Sequence, residues 1–366
     1  MPDYPSRYLV APDSFKGTFE AATVAQAIGE GLEQAGAAAD LCPIADGGEG
    51  TAAALLANLG GRTVKVEAHD PLRRPIVASF ALLAGERTAV VEVAAASGLP
   101  LVAAEDRDAE RADSYGTGEL IAAAIAAGAR KVLVAAGGSA STDGGQGTIE
   151  AIGGRRGLGD VELEVLCDVE TPYEDAARVF APQKGAGPDA VARLSARLRE
   201  LADTLPRDPR GLPMSGCAGG LSGGLYGALG ARLRPGALFV LRRADFSRRL
   251  GDADAVISGE GRLDEQSLDG KAIGTVAELC AAAGKPLHVI AGDNALDPVR
   301  AAQAGISSVR TASSLAAITG MARAIGAAAS GVPGQAGQGR RERSVLGRRA
   351  TEDAEMRRPR RGRGPT

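Results

Sequence analysis

The chain has 366 residues and no tryptophan; aromatics make up 3%, and there are two histidines and four cysteines. With so few aromatic side chains, the core has to be built from Val, Leu, Ile and Ala. Cys42, Cys167, Cys217 and Cys280 stand far apart, with no CxxC pair and no Cys/His cluster. That excludes a zinc site of ordinary spacing and points to a reducing compartment. No run of 18 apolar residues occurs, and "MPDYPSRYLVAPDSFKG" has no apolar leader segment, so the expectation is a soluble cytoplasmic protein without a membrane partner. Several motifs are missing as well. There is no GxxxxGK[ST] loop, no GxSxG elbow and no HRD or DFG, and "GTGELI" lacks the third glycine of a dinucleotide fingerprint.

What the chain does have is length, glycine and an uneven charge. A chain of 366 residues exceeds one ordinary core, so two domains are expected. Hydrophobic residues at 45% are globular, and 51 glycines suit a fold with many loops at strand ends. The net charge is −3, yet residues 331–366 carry ten arginines and four acids, net +6, which leaves −9 for the rest. An acidic body argues against nucleic acid as the main partner. The Arg-, Gly- and Pro-rich segment 331–366 reads as a disordered basic tail.

Strand-like and helix-like runs alternate at both ends of the chain. "RYLVAP", "ADLCPIA" and "RTVKVEAH" read as strands, separated by helices over 19–35 and "TAAALLANLGG". In the middle, "IVASFALL" and "RTAVVEVA" are joined by a short "AGE" turn and read as antiparallel, followed by the strands "KVLVAA" and "LEVLCDV". From "DADAVISGEG" strict alternation returns. The expected fold is therefore α/β in two domains. Residues 1–69 plus 246–330 form a flavodoxin-like, doubly wound parallel sheet from both chain ends, and 70–245 form an inserted mixed-sheet α/β domain.

In such sheets ligands collect beyond the carboxyl ends of the strands. The loops there are chemically loaded: "PDSFKG", "ADGGEGT", "HDPLRRP", "GGSASTDGG", "CDVETP" and "SGEGRLDEQ". Asp13 and Asp70 stand beside prolines and suit turns as well as chemistry. Lys16 lies between a strand and a helix N-terminus, where a cation and the helix dipole can hold an anion together. Asp46 could cap a helix, but its flanking glycines free N–H groups for an anion. "GGSASTDGG" reads as an N–H nest for phosphate, with Ser139, Ser141, Gly144 and Gly145 as its donors. Asp143 fits either a Mg²⁺ ligand or an acceptor of a substrate hydroxyl proton, the two carboxylate roles of phosphoryl transfer. Asp46 shares that pair of roles with Asp143. Glu260, Arg262 and Asp264 are expected at the rim, Lys184 and Lys271 are weaker candidates, and His69 and His288 read as structural.

Taken together, "APDSFKGT", "PIADGGEGT", "VEVAAASGL", "GGSASTDGGQGT", "CDVETP", "VFAPQKGA", "GCAGGLSGGL" and "DADAVISGEGRLDEQSLDGKAIG", in this order, closely resemble the type I family of bacterial glycerate kinases. The resemblance implies ATP- and Mg²⁺-dependent phosphorylation of D-glycerate, with 2-phosphoglycerate favoured over 3-phosphoglycerate as product. It implies a small-molecule substrate and leaves a homodimer open. Two rival readings are a nicotinamide-dependent hydroxy-acid dehydrogenase and a non-catalytic sensor of small acids. The first lacks its glycine fingerprint and a catalytic histidine; the second has no need of so many charged loops.

Overall fold

The computed structural model describes residues 6–268 and 270–329, so the expected basic tail lies outside the described residues. The described residues form eleven strands: β1 (Arg7–Pro12), β2 (Ala38–Leu41), β3 (Gly61–His69), β4 (Pro75–Leu83), β5 (Thr88–Glu92), β6 (Lys131–Ala135), β7 (Glu162–Cys167), β8 (Arg232–Pro235), β9 (Ala255–Leu263), β10 (Leu287–Asn294) and β11 (Ile306–Thr311). They make two sheets, a five-stranded one in the order β11-β10-β9-β1-β2 and a six-stranded one in the order β3-β4-β5-β6-β7-β8.

The first sheet is parallel throughout. Taken in chain order, its strands run second, first, third, fourth, fifth, the flavodoxin-like order. Strand β1, inside the sheet between β9 and β2, is buried at five of its six positions because helices cover both faces. Helix Ala21–Gln34 lies against helix Leu315–Ala329 on one face. Their approach is close at Gly31, where a Cβ would stand 2.2 Å from the Thr319 carbonyl. The order reverses between β1 and β9, so a crevice opens beyond their carboxyl ends.

In the second sheet β3, β4 and β5 are antiparallel neighbours, whereas β5 to β8 are parallel. One strand departs from expectation. The alternation predicts that "RTVKVEAH" joins the parallel sheet, but β3 pairs antiparallel with β4 along its whole length. The cause is the link between them: Asp70 accepts from the Leu72 and Arg74 N–H groups and closes a tight turn, too short for a parallel crossover. Several helices also lack a sequence signal, among them Leu221–Leu229 and Gly236–Arg243. Helix Leu221–Leu229 is glycine-rich because its neighbours press close: a Cβ on Gly224 would meet the Gly144 carbonyl at 1.8 Å.

One apolar core runs between the sheets. Leu9, Val256 and Val289 from the first pack in the same cluster as Val90, Leu133 and Leu166 from the second, with Leu55 and Val240 from intervening helices. This shared layer brings the loop after β2, at the edge of the first sheet, against the loops after β6 and β7.

Candidate active site

The crevice beyond β1 and β9 is lined by the first of the loaded loops. Asp13 ends β1; its N–H donates to the Gly259 carbonyl at 2.8 Å and its carboxylate accepts from the Ser14 N–H at 2.6 Å. The next five residues close on themselves, with Phe15 and Phe19 exchanging backbone hydrogen bonds of 2.8 and 3.0 Å. Gly17, at φ +76°, supplies the left-handed step this turn needs. Lys16 is thereby held at the turn's tip with its side chain 58% exposed, and its ammonium reaches the buried Asp46 at 3.4 Å. The other Asp46 oxygen accepts from the Gly48 N–H at 3.0 Å.

Around this ion pair most of the titratable groups are carboxyls. Asp13 is pushed up to about 8, first by burial and then by Asp46. Glu260, on β9, is pushed up to about 7 by burial, with the Ser267 hydroxyl and Lys271 working against the shift, and its Oε1 has no partner. Asp168, just past β7, is raised by burial and by Asp46. Lys16 is raised in turn, chiefly by Asp46. Carboxyls pushed up by burial, and secondarily by neighbouring acids, mark a place where a cation or a proton is held.

Two cavities flank the Lys16 turn, and Ser14, Lys16, Thr18 and Phe19 line both. One, of about 460 Å³, is bounded by Asp13, Asp46, Glu260, Arg262, Asp264 and Lys271. The other, of about 570 Å³, reaches the second sheet at Ser79 and Phe80 and ends at Glu92. Glu92 accepts from the Ala52 N–H at 2.8 Å and is pushed up to about 6 by burial.

The predicted residues therefore divide. Lys16, Asp46, Glu260, Arg262 and Asp264 come together on the first cavity. Ser139, Ser141, Asp143, Gly144 and Gly145 do not line either cavity, and all five are buried. Two of the expected donors are spent inside the loop, the Gly144 N–H on Gly219 at 3.2 Å and the Gly145 N–H on Asp143 at 3.1 Å, while the buried Ser141 and Thr142 hydroxyls have no partner. Asp143 also accepts from the Ser114 N–H at 2.9 Å, the Ser114 hydroxyl at 2.8 Å and the Gly147 N–H at 3.1 Å. A carboxylate with four internal donors ties its loop down and has little capacity left for a metal. The loop's small residues serve close packing: a Cβ on Gly137 would stand 2.6 Å from Gly48 Cα, so its first glycine presses on the Asp46 turn.

Three acids that carry weight here give only a weak sequence signal: Asp13 suits a turn as well as chemistry, Asp168 is one acid of a loaded loop, and Glu92 sits in an apolar run. Their position immediately after or at the end of a strand was the available signal. His69 and His288 are structural: they meet Glu119 at 2.9 Å and the Ser308 hydroxyl at 2.8 Å.

The donor set suits a hard cation, since every candidate ligand is a carboxylate oxygen. Among the described residues no three His, Cys, Asp or Glu groups close into a metal cage. Mg²⁺ does not need one, because it usually takes one or two carboxylates and completes its shell with water and phosphate. Asp46 with Asp168 or Asp13 meets that requirement.

A flavodoxin-ordered sheet with a lysine and clustered carboxyls at its switch point defines an α/β protein with a charged crevice at the edge where such folds bind their ligands. Comparison specifies it further. Residues 8–158 and 154–332 match the glycerate kinase family, and the chain belongs to that family. It is 37% identical to a Bacillus subtilis protein named glycerate kinase, over 83% of this chain and 89% of that one. It is 35% identical to an Escherichia coli protein named glycerate 2-kinase, again over 83% and 89%. A crystal structure from Salmonella typhimurium, of a protein named within the same family, superposes with a TM-score of 0.78 at 33% identity, covering 90% of this chain and 99% of that one.

Proposed function

We propose that this chain is an ATP-dependent glycerate kinase, a phosphotransferase to an alcohol group, acting on D-glycerate with Mg²⁺. The observation that carries the reading is the Lys16–Asp46 pair at the switch point, surrounded by Asp13, Asp168 and Glu260. Phosphoryl transfer asks for cations where charge develops on the transferred group and a carboxylate to take the hydroxyl proton. Lys16, compact and reaching into the crevice, supplies the first. Asp13, whose pKa of about 8 lies near neutral pH, supplies the second. Asp46 and Asp168 are the residues that would hold Mg²⁺, which neutralises phosphate charge when bound. Arg262 and Lys271 add positive charge on the cavity that Glu260 and Asp264 bound, which we assign to the nucleotide. Asp143 enters this reading as the support of its loop, and Ser139, Ser141, Gly144 and Gly145 act with it.

The name of the Escherichia coli relative favours 2-phosphoglycerate over 3-phosphoglycerate as the product. We read the two sheets as two domains, with the boundary moved from residue 69 to before β3, since that strand pairs in the second sheet. Among the described residues no helix is long and apolar enough to cross a membrane. We place the activity in the cytoplasm, on small molecules, without nucleic acid.

The test is an assay of ADP release with ATP, Mg²⁺ and D-glycerate, with the product identified by NMR. Phosphate on the 2-hydroxyl and loss of turnover in EDTA are expected. No glycerate-dependent ADP release would refute the reading.

A further inference from the structure

Lys184 is 2% exposed, in a short helical turn (Pro182–Lys184) far in sequence from the crevice. Burying an ammonium is costly, and a buried lysine usually finds a carboxylate. Among the described residues none pairs with this one. Its ammonium instead donates to the Ser139 hydroxyl at 2.8 Å and to the Ser141 carbonyl at 2.5 Å. Burial lowers its pKa to about 7, with Asp143 opposing the shift, so the surroundings do not favour the charge for its own sake. What the lysine does is tie down a loop through its Ser141 carbonyl and Ser139 hydroxyl, the loop's other anchor being Asp143.

That loop leads to the reacting groups. Ser139 bridges Gly98, the Leu99 N–H donates to Gly138 at 2.9 Å and the Ala140 N–H to Ser97 at 2.9 Å, so the segment has one seat. Its first glycine presses on Gly48, whose N–H holds one oxygen of Asp46, while Lys16 holds the other. The path from Lys184 to the ion pair is thus hydrogen bonds followed by backbone in contact with backbone. We propose that Lys184 is a positioning residue for phosphoryl transfer: it locks the 137–145 loop so that Gly137 backs the turn that aims Asp46. It touches no substrate in this account, and the proposal rests on the kinase reading given above.

Lys184→Met keeps the apolar stem and removes the donors. In the full-length protein it is expected to lower kcat by about tenfold or more, with the KM for glycerate within about twofold and Tm unchanged or raised. Hydrogen–deuterium exchange should rise over 137–145 and 46–50 and stay as in the wild type in β9 and β10. Lys184→Arg, which keeps a cation and donors, should recover part of the lost kcat. Should Lys184→Met not fold, Lys184→Gln, which is shorter and keeps only the two donors of its neutral amide, is measured in the same way, with a smaller loss of kcat of the same pattern expected. A kcat within about twofold of wild type in the folded variant would overturn the proposal, as would exchange that rises everywhere in proportion to a fallen Tm. If the wild type itself shows no glycerate-dependent turnover, the kinase reading fails. The exchange pattern over 46–50 would then still report separately whether Lys184 holds the Asp46 turn.

Discussion

Replacing Lys16 by Met deletes the ammonium at the tip of the Phe15–Phe19 turn and leaves a stem of similar length. The ion pair it breaks is 3.4 Å long with its lysine side chain 58% exposed, so water screens it. An exposed pair of this kind contributes about 1 kcal/mol or less to folding. The expected change in Tm is therefore no more than about 4 °C. The catalytic effect should be larger, because the cation acts in a crevice at the moment charge develops on the transferred phosphoryl group. A loss on the order of 10²-fold in kcat, about 2.7 kcal/mol, is expected, with the KM for glycerate little altered. The compact ammonium suits phosphate, whereas a glycerate carboxylate would be better met by arginine. There is a second signature. Lys16 opposes the upward shifts of Asp13, Asp168 and Glu260. Without it these carboxyls should hold their protons to higher pH, so the acidic limb of kcat/KM moves upward. The assay is coupled ADP release across the neutral range, with circular dichroism to show that the variant is folded. A raised KM with kcat preserved would place Lys16 on the glycerate carboxylate instead. Near-normal values of both would make it a solvated lysine and refute the reasoning.

Glu260→Gln tests the buried acid on β9. Raised from 4.5 to about 7, it makes the folded protein bind more protons than the unfolded chain between those values, so stability falls as pH rises through that window. The stability advantage of the glutamine variant should therefore grow between about pH 4.5 and about pH 7, reaching of order 3 kcal/mol at most; a difference independent of pH would contradict the assignment. Asp143→Asn turns an acceptor of four hydrogen bonds into a group with only one accepting oxygen. Urea unfolding should report a loss on the order of 3–5 kcal/mol, and unchanged stability with a weakened apparent affinity for Mg²⁺ would make Asp143 a metal ligand after all. Gly31→Ala places a methyl 2.2 Å from the Thr319 carbonyl and should cost about 1–3 kcal/mol while sparing the kcat of folded molecules. A wild-type Tm would show that the two helices part easily.

Much of the frame was open to a reading of the chain alone. Apolar runs of strand length, broken by glycine and aspartate, marked β1, β6, β7 and β9, and the short "AGE" turn forced β4 and β5 antiparallel. These are local signals: pattern and turn length need no knowledge of the partner strand. The same logic put Lys16, Asp46 and Glu260 at strand ends, where an open parallel sheet collects its ligands.

The tertiary structure alone decided what each polar residue faces. "GGSASTDGG" and "APDSFKG" look equally suited to an anion, because both follow a strand and both offer glycine, hydroxyl and carboxylate. In the fold one is a buried knot, tied by Asp143 and Lys184, and the other is an exposed turn with a cation at its tip. Composition cannot separate them, since whether an N–H or carboxylate is spent on the protein or left for a ligand depends on groups far away in sequence. Ser114 closes on Asp143 across 29 residues and Lys184 on Ser139 across 45. The placement of Asp168 beside Asp46 has the same origin: it depends on two sheets sharing one core, and burial and mutual repulsion act only once that core has formed.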